Sequence, residues 1–150
     1  MTEHLSADLF VEEMQACFER GQEVTFIPSG RSMLPTINGS SDKVTLKAID
    51  APLKKRDIIL YRRSGGELVL HRIVGFRQDG SLILCGDNQY DYEYGVMPDD
   101  VLARMIRRDR NGRETAVDSV SFRFSSSLLI ARKRVLRAAR RVVARFRAAG

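Results

Sequence analysis

A mostly β domain, β-rich α+β with a helix at each end, is the fold class this chain predicts, and three observations predict it. Between residues 23 and 107 the apolar residues fall into six short runs with turn residues between them, at Gly39, Gly65-Gly66, Asp79-Gly80 and Asn88. Residues 5 to 20 instead repeat their apolar positions at helical spacing. The last twenty residues hold eight Arg or Lys and no acid, interleaved with apolar residues at the same helical period. A length of 150 residues with 43% hydrophobic and 29% charged side chains fits one globular domain.

In chain order, residues 1–22 predict an amphipathic N-terminal helix. Leu5, Leu9, Phe10, Met14, Cys17 and Phe18 share one face, Glu12, Glu13, Glu19 and Arg20 lie opposite, and Gly21 ends the pattern. Such a helix reads as a cover for the core. The β domain follows over residues 23–125, with strands expected at Val24–Ile27, Lys43–Lys47, Asp57–Arg62, Leu68–Phe76, Ser81–Cys85 and Val101–Ile106. Many short strands and few helices favour a compact, mostly antiparallel sheet. Asn111-Gly112 is a strong hairpin turn signal, and Thr115 to Phe124 reads as one more strand pairing back.

Residues 126–150 predict a basic amphipathic helix. Leu128, Leu129, Val135, Leu136, Val142 and Phe146 fall on one side of a wheel, with most of the cationic side chains on the other. The chain carries 25 basic and 19 acidic residues, so with eight basic residues in the tail the first 130 carry 17 against 19. All of the net +6 therefore comes from the tail. Over residues 128–147 that composition suits the headgroup region of an anionic membrane. It fits nucleic acid less well, because no aromatic stacking residues accompany the arginines. The remaining reading is a helix docked on its own domain with a solvated basic face.

No window approaches the 18 or so consecutive apolar residues of a spanning helix, and the opening Met1-Thr2-Glu3-His4 lacks a basic n-region and an apolar h-region. The expected location is cytoplasmic, with peripheral attachment at the inner face of the membrane through the tail. Cys17 and Cys85 lack a metal or redox spacing, and each is expected to pack as a small apolar residue. No metal or other cofactor is expected. Besides His71 the only histidine is His4, near the start of the chain.

Chemistry centres on Ser32. It lies in Pro28-Ser29-Gly30-Arg31-Ser32-Met33-Leu34-Pro35-Thr36-Ile37, between an apolar strand and a proline-braced turn. A serine hydroxyl is a poor nucleophile near neutral pH, so an enzyme that uses one holds it on a rigid loop beside a base. Gly30 and Pro35 supply rigidity, and His71, in a strand 39 residues later, is the candidate base. A histidine on the apolar strand face of Val69 and Ile73 also reads as a satisfied core residue. Partial burial nevertheless suits a base, because it keeps the ring neutral.

Gly30-x-Ser32-Met33-x-Pro35-x-Ile37, Asp42-x-Val44, Arg56-Asp57-Ile58-Ile59-x-Tyr61, Leu70-His71-Arg72-Ile73-Val74 and Gly86-Asp87-Asn88 follow one another over residues 24 to 108. Together they resemble the signal peptidase I and LexA-like clan of serine peptidases, in the branch with a Ser-His pair as in the endoplasmic-reticulum type of signal peptidase. The resemblance implies Ser32 as nucleophile, His71 as general base, Met33 and Pro35 beside the substrate, and an acid orienting the histidine. Asp87, Asp91 and Glu93 are the candidates for that acid. It further implies hydrolysis of leader or signal-like peptides with small residues before the cleaved bond. The chain departs from the family pattern in lacking a membrane anchor, in Arg56 standing where the family has glycine, in Gly30 standing where signal peptidases often have a hydroxyl residue, and in extra residues at Asn38–Asp42. An oxyanion hole would then rest on backbone N–H groups around Ser32. The alternative is a catalytically silent binding or regulatory module of the same fold that acts through its basic tail. A LexA-like autoproteolytic repressor would need a lysine base, for which Lys54 and Lys55 are the residues to watch.

Overall fold

Ile58-Ile59-Leu60-Tyr61 is a continuous apolar run, and its four side chains are all buried because the strand they form is covered on both faces. The structure, a computed structural model, describes residues 2–148. The side chains of residues 2–6, 146 and 148 lie outside that description, among them those of His4, Leu5 and Phe146. Helix α1 spans Thr2–Glu19. The strands are β1 Val24–Phe26, β2 Lys43–Lys47, β3 Ile58–Arg62, β4 Leu68–Phe76, β5 Leu82–Cys85, β6 Glu93–Val96, β7 Val101–Arg110 and β8 Arg113–Ala116. Helix α2 spans Val120–Ala148. The strands make one eight-stranded antiparallel sheet ordered β1-β2-β7-β3-β4-β5-β6, with β8 also on β7.

Alternation along the strands splits the core in two. Val44, Leu46, Ile58, Leu60, Leu70 and Met105 face one side, where Met14 of α1 and Phe122 of α2 close over them. Ile59, Tyr61, Ile73, Leu82, Leu84 and Val101 pack on the other. Each such side chain contributes about 1.5–3 kcal/mol by leaving water, so Ile59→Ala would cost about 2–5 kcal/mol once its cavity is counted.

Three expectations are corrected. The first is the strand expected at Thr115–Phe124, which stops at Ala116. Ser119 Oγ accepts the Phe122 N–H and caps a helix that begins at Val120, six residues before the expected boundary. The second is β6, which the sequence did not announce. Glu93-Tyr94-Gly95-Val96 has no apolar alternation, and its pairing with β5 fixes it as a strand. The third is the basic side of the tail helix, which is not solvated throughout. Lys133 is buried against the domain, while Val135 and Val142 of the expected apolar side are exposed. Asn111 and Gly112, at φ 55 and 79, make the β7–β8 hairpin turn. Cys17 and Cys85 are both free thiols, Cys85 buried. No helix among the described residues is long and apolar enough to cross a membrane.

Candidate active site

The Ser32 loop leaves β1 and is held from three directions. Gly30 adopts φ 87, a conformation open to glycine, and Gly39 packs so closely that an added Cβ would overlap the Gly30 carbonyl. From β7, Arg108 donates to the Thr36 carbonyl at 2.7 Å, and Arg110 donates to the Pro35 carbonyl at 3.1 Å and to buried Asp42. Asp42 in turn accepts the Asn38 N–H at 2.8 Å. From the turn after β5, the Asn88 N–H donates to the Ser32 carbonyl at 2.7 Å. Among the described residues, the N–H groups of Ser32 and Met33 have no protein acceptor.

His71 sits in the middle of β4, opposite Ile59 of β3. Its ring is 2% exposed, and burial pushes its pKa down to about 4, so it is neutral across the physiological range. Beside Nδ1 lie Tyr61 Oη at 3.3 Å and Glu93 Oε2 at 3.7 Å. The Tyr61 hydroxyl donates to Glu93 Oε2 at 2.7 Å, and burial together with that bond raises the phenol pKa, so the proton stays on oxygen. With its hydrogen committed to Glu93, Tyr61 Oη is an acceptor toward the ring, which assigns the hydrogen of His71 to Nδ1. Nε2 is then left as the basic nitrogen. Arg63 completes the chain with two bonds to Glu93, 2.8 and 2.7 Å, and this pairing holds the carboxyl below its usual pKa.

Nε2 and the Ser32 main-chain carbonyl both approach Gly86. A methyl group added there would stand 2.6 Å from the Ser32 carbonyl oxygen and 3.0 Å from His71 Nε2, so only a hydrogen-bearing Cα fits between them. Ser32, Met33, Gly30, Leu68, Leu70 and His71 line one cleft of about 210 Å³. Among the described residues no hydrogen bond joins Ser32 Oγ to the ring. Pro35 is outside this lining, and its carbonyl serves as the Arg110 acceptor.

The three candidate acids have different surroundings. Asp87 is paired with Arg72 on the far side of β4, by bonds of 2.9 and 2.7 Å, and also accepts the Thr36 hydroxyl at 2.5 Å. Asp91 is exposed, and its main-chain carbonyl accepts the Cys85 thiol. Glu93 alone of the three lies beside His71 Nδ1. Lys54 and Lys55 line a separate pocket with Arg56 and Arg107, away from Ser32.

Sequence reasoning missed Tyr61, Arg63 and Lys133. Tyr61 carried a usable signal, since a tyrosine in a fully apolar strand must find a partner for its hydroxyl, and Tyr61 lies across from Val69, two residues before the histidine. Lys133 carried none that periodicity can show. Its ammonium donates to the Gly86 and Gln89 carbonyls and lies 3.3 Å from Cys85 Sγ, which ties α2 to the turn that packs against both Ser32 and His71. Among the described residues no group of His, Cys, Asp and Glu is arranged to hold a metal ion. Comparison of the chain with protein-family models, with curated proteins and with solved structures finds no match.

Proposed function

We propose that the protein is a serine endopeptidase acting through a Ser32–His71 pair and an acyl-enzyme. The observation that carries this reading is the chain His71–Tyr61–Glu93–Arg63, which leaves Nε2 as the basic nitrogen on the side of the ring where the Ser32 loop lies. Nε2 takes the Ser32 hydroxyl proton as Oγ bonds to the substrate carbonyl carbon. The resulting imidazolium is stabilised through Tyr61 by the Glu93 carboxylate, and it gives the proton to the leaving amine as the peptide C–N bond breaks. Water then adds to the acyl carbon, losing its proton to Nε2, and Ser32 Oγ leaves with that proton. The N–H groups of Ser32 and Met33 are the donors available to the tetrahedral oxyanion.

A strand edge supports a peptide substrate. β4 pairs with β3 over Leu68–Arg72 but with β5 only from Arg72 onward, so the second edge of Leu68–Leu70 opens into the cleft. An extended chain can pair there through main-chain hydrogen bonds. The preference for small residues before the cleaved bond rests on the signal-peptidase resemblance.

The test is labelling of the full-length protein by a fluorophosphonate together with cleavage of a leader peptide bearing alanines before the scissile bond. Ser32→Ala is expected to abolish both, and His71→Ala to lower cleavage by about 10⁴-fold or more, with the double variant no worse than either single. Unchanged cleavage by Ser32→Ala would overturn the reading. Absence of labelling and cleavage in the folded wild type would turn it toward a catalytically silent binding module.

A further inference from the structure

Helix α2 meets the β domain with a mixed side, apolar at Phe122 and Ile130 and polar at Ser126, Lys133 and Arg137. Ser126, Ile130 and Lys133 are buried at helical spacing, Ser126 Oγ accepts a bond from Arg72, and Arg137 donates to the Tyr90 carbonyl at 2.6 Å while lying over the Tyr92 ring. The opposite side is apolar and faces solvent. Phe124, Leu128, Val135 and Val142 are 64%, 55%, 68% and 51% exposed, again at helical spacing, which makes a stripe that runs most of a helix about 43 Å long. The inward side has spent its cations on carbonyls and tyrosine rings, so the domain leaves the stripe uncovered.

The border of that stripe is cationic. Arg123, Arg134, Arg141 and Arg145 follow one edge, and α2 contains no acidic residue. Arg123 also lines a pocket of about 550 Å³ with Lys54, Lys55, Arg56 and Arg107, against the acids Asp57 and Asp118. Arg134 continues the cluster, since burial, followed by the charges of Arg134 and Arg56, makes Lys55 easier to deprotonate. Apolar area and a concentrated positive charge thus share one surface.

We infer that this surface docks on an anionic phospholipid bilayer, with the Phe124–Val142 stripe at the acyl boundary and the arginine border and Lys54–Arg56 pocket on the lipid phosphates. Charge selects this occupant. Two copies packed stripe to stripe would bring the arginine borders together with no carboxylate on either helix to neutralise them, whereas anionic headgroups complement them. The surface is distinct from the Ser32 cleft and does not depend on the peptidase reading.

Cosedimentation of the full-length protein with vesicles tests the inference, using phosphatidylcholine alone and an equimolar mixture with phosphatidylglycerol. Binding is expected to the mixed vesicles and not to the neutral ones. Val135→Glu with Val142→Glu, both outside the domain contact, should weaken it about 100-fold or more, through lost burial and added repulsion. Lys54→Gln and Lys55→Gln, which leave the helix untouched, should each weaken it about fivefold. Circular dichroism and sedimentation velocity without lipid should be the same for wild type and variants. Failure of the wild type to bind mixed vesicles, binding that ignores the stripe substitutions, or a lipid-free dimer that the stripe substitutions dissociate would each overturn it.

Discussion

Arg72–Asp87 and Arg63–Glu93 are both two-point guanidinium–carboxylate pairs, and they lie on opposite sides of the strand that carries His71. The first is sealed, with each side chain 1% exposed; the second is open, at 39% and 24%. The sealed pair has no capacity left over. Arg72 also donates to Ser126 Oγ and the Arg56 carbonyl, Asp87 accepts from Thr36, and Phe122 covers the guanidinium. It joins β4, the Gly86–Asn88 turn, the Ser32 loop and α2, which is a structural task. The open pair leaves Glu93 Oε2 free to accept Tyr61 and to face the imidazole. Because His71 and Arg72 are adjacent on one strand, their side chains point to opposite faces. An acid that serves one therefore has poor access to the other.

The largest expected effect breaks the sealed pair. Asp87→Asn or Arg72→Met leaves an uncompensated charge in a dry site and should cost about 3–5 kcal/mol of stability by denaturant unfolding. The double replacement Arg72→Met with Asp87→Leu should recover much of that loss. Full stability in Asp87→Asn would erase the distinction between the two pairs.

Next comes the open pair. Glu93→Gln should lower kcat about 100-fold, because the imidazolium loses its counter-charge, while stability falls by about 1 kcal/mol or less at a partly exposed site. Tyr61→Phe interrupts the chain without removing the carboxylate and should cost kcat about tenfold. Comparison of kcat with the unfolding midpoint separates the two roles. If Glu93→Gln were fully active and Asp87→Asn folded but inactive, the roles would be reversed.

How much of this was legible depends on where each partner lies. The loop that carries Ser32 and the strand that carries His71 were legible through local patterns, a Gly- and Pro-braced turn after a strand and a histidine inside an apolar run. The six sheet strands expected before Arg107 were readable for the same reason. The choice among Asp87, Asp91 and Glu93 was not, because the place of Glu93 beside the imidazole depends on β6, whose pairing of Glu93 with Leu84 leaves no trace in hydrophobic alternation. Arg72 was equally opaque, since strand periodicity assigns it a face and cannot tell that Asp87, Thr36 and Ser126 await it there. For α2 the amphipathic pattern was plain, yet the side that docks was not. Lysine and arginine can bury their stems and reach distant carbonyls and rings, as Lys133 and Arg137 do.

The smallest expected effect lies in the acid limb of activity. Burial opposes a charged His71, and Glu93 only partly offsets it, which leaves the pKa at about 4. In kcat/KM the acid limb should therefore fall near pH 4 in place of the ordinary value of about 6.5. Glu93→Gln removes a charge that raises the histidine pKa, so its limb should move lower still, while Arg63→Met removes one that lowers it and should move the limb up. Stability carries the same sign. The neutral ring is favoured by folding, so its contribution is fully present above the unfolded pKa of about 6.5 and is lost as pH falls toward about 4. His71→Gln should flatten the slope of unfolding free energy in that window. An acid limb near pH 6.5 in the wild type would mean that the titrating base is a solvated group and not the histidine between the two arginine pairs.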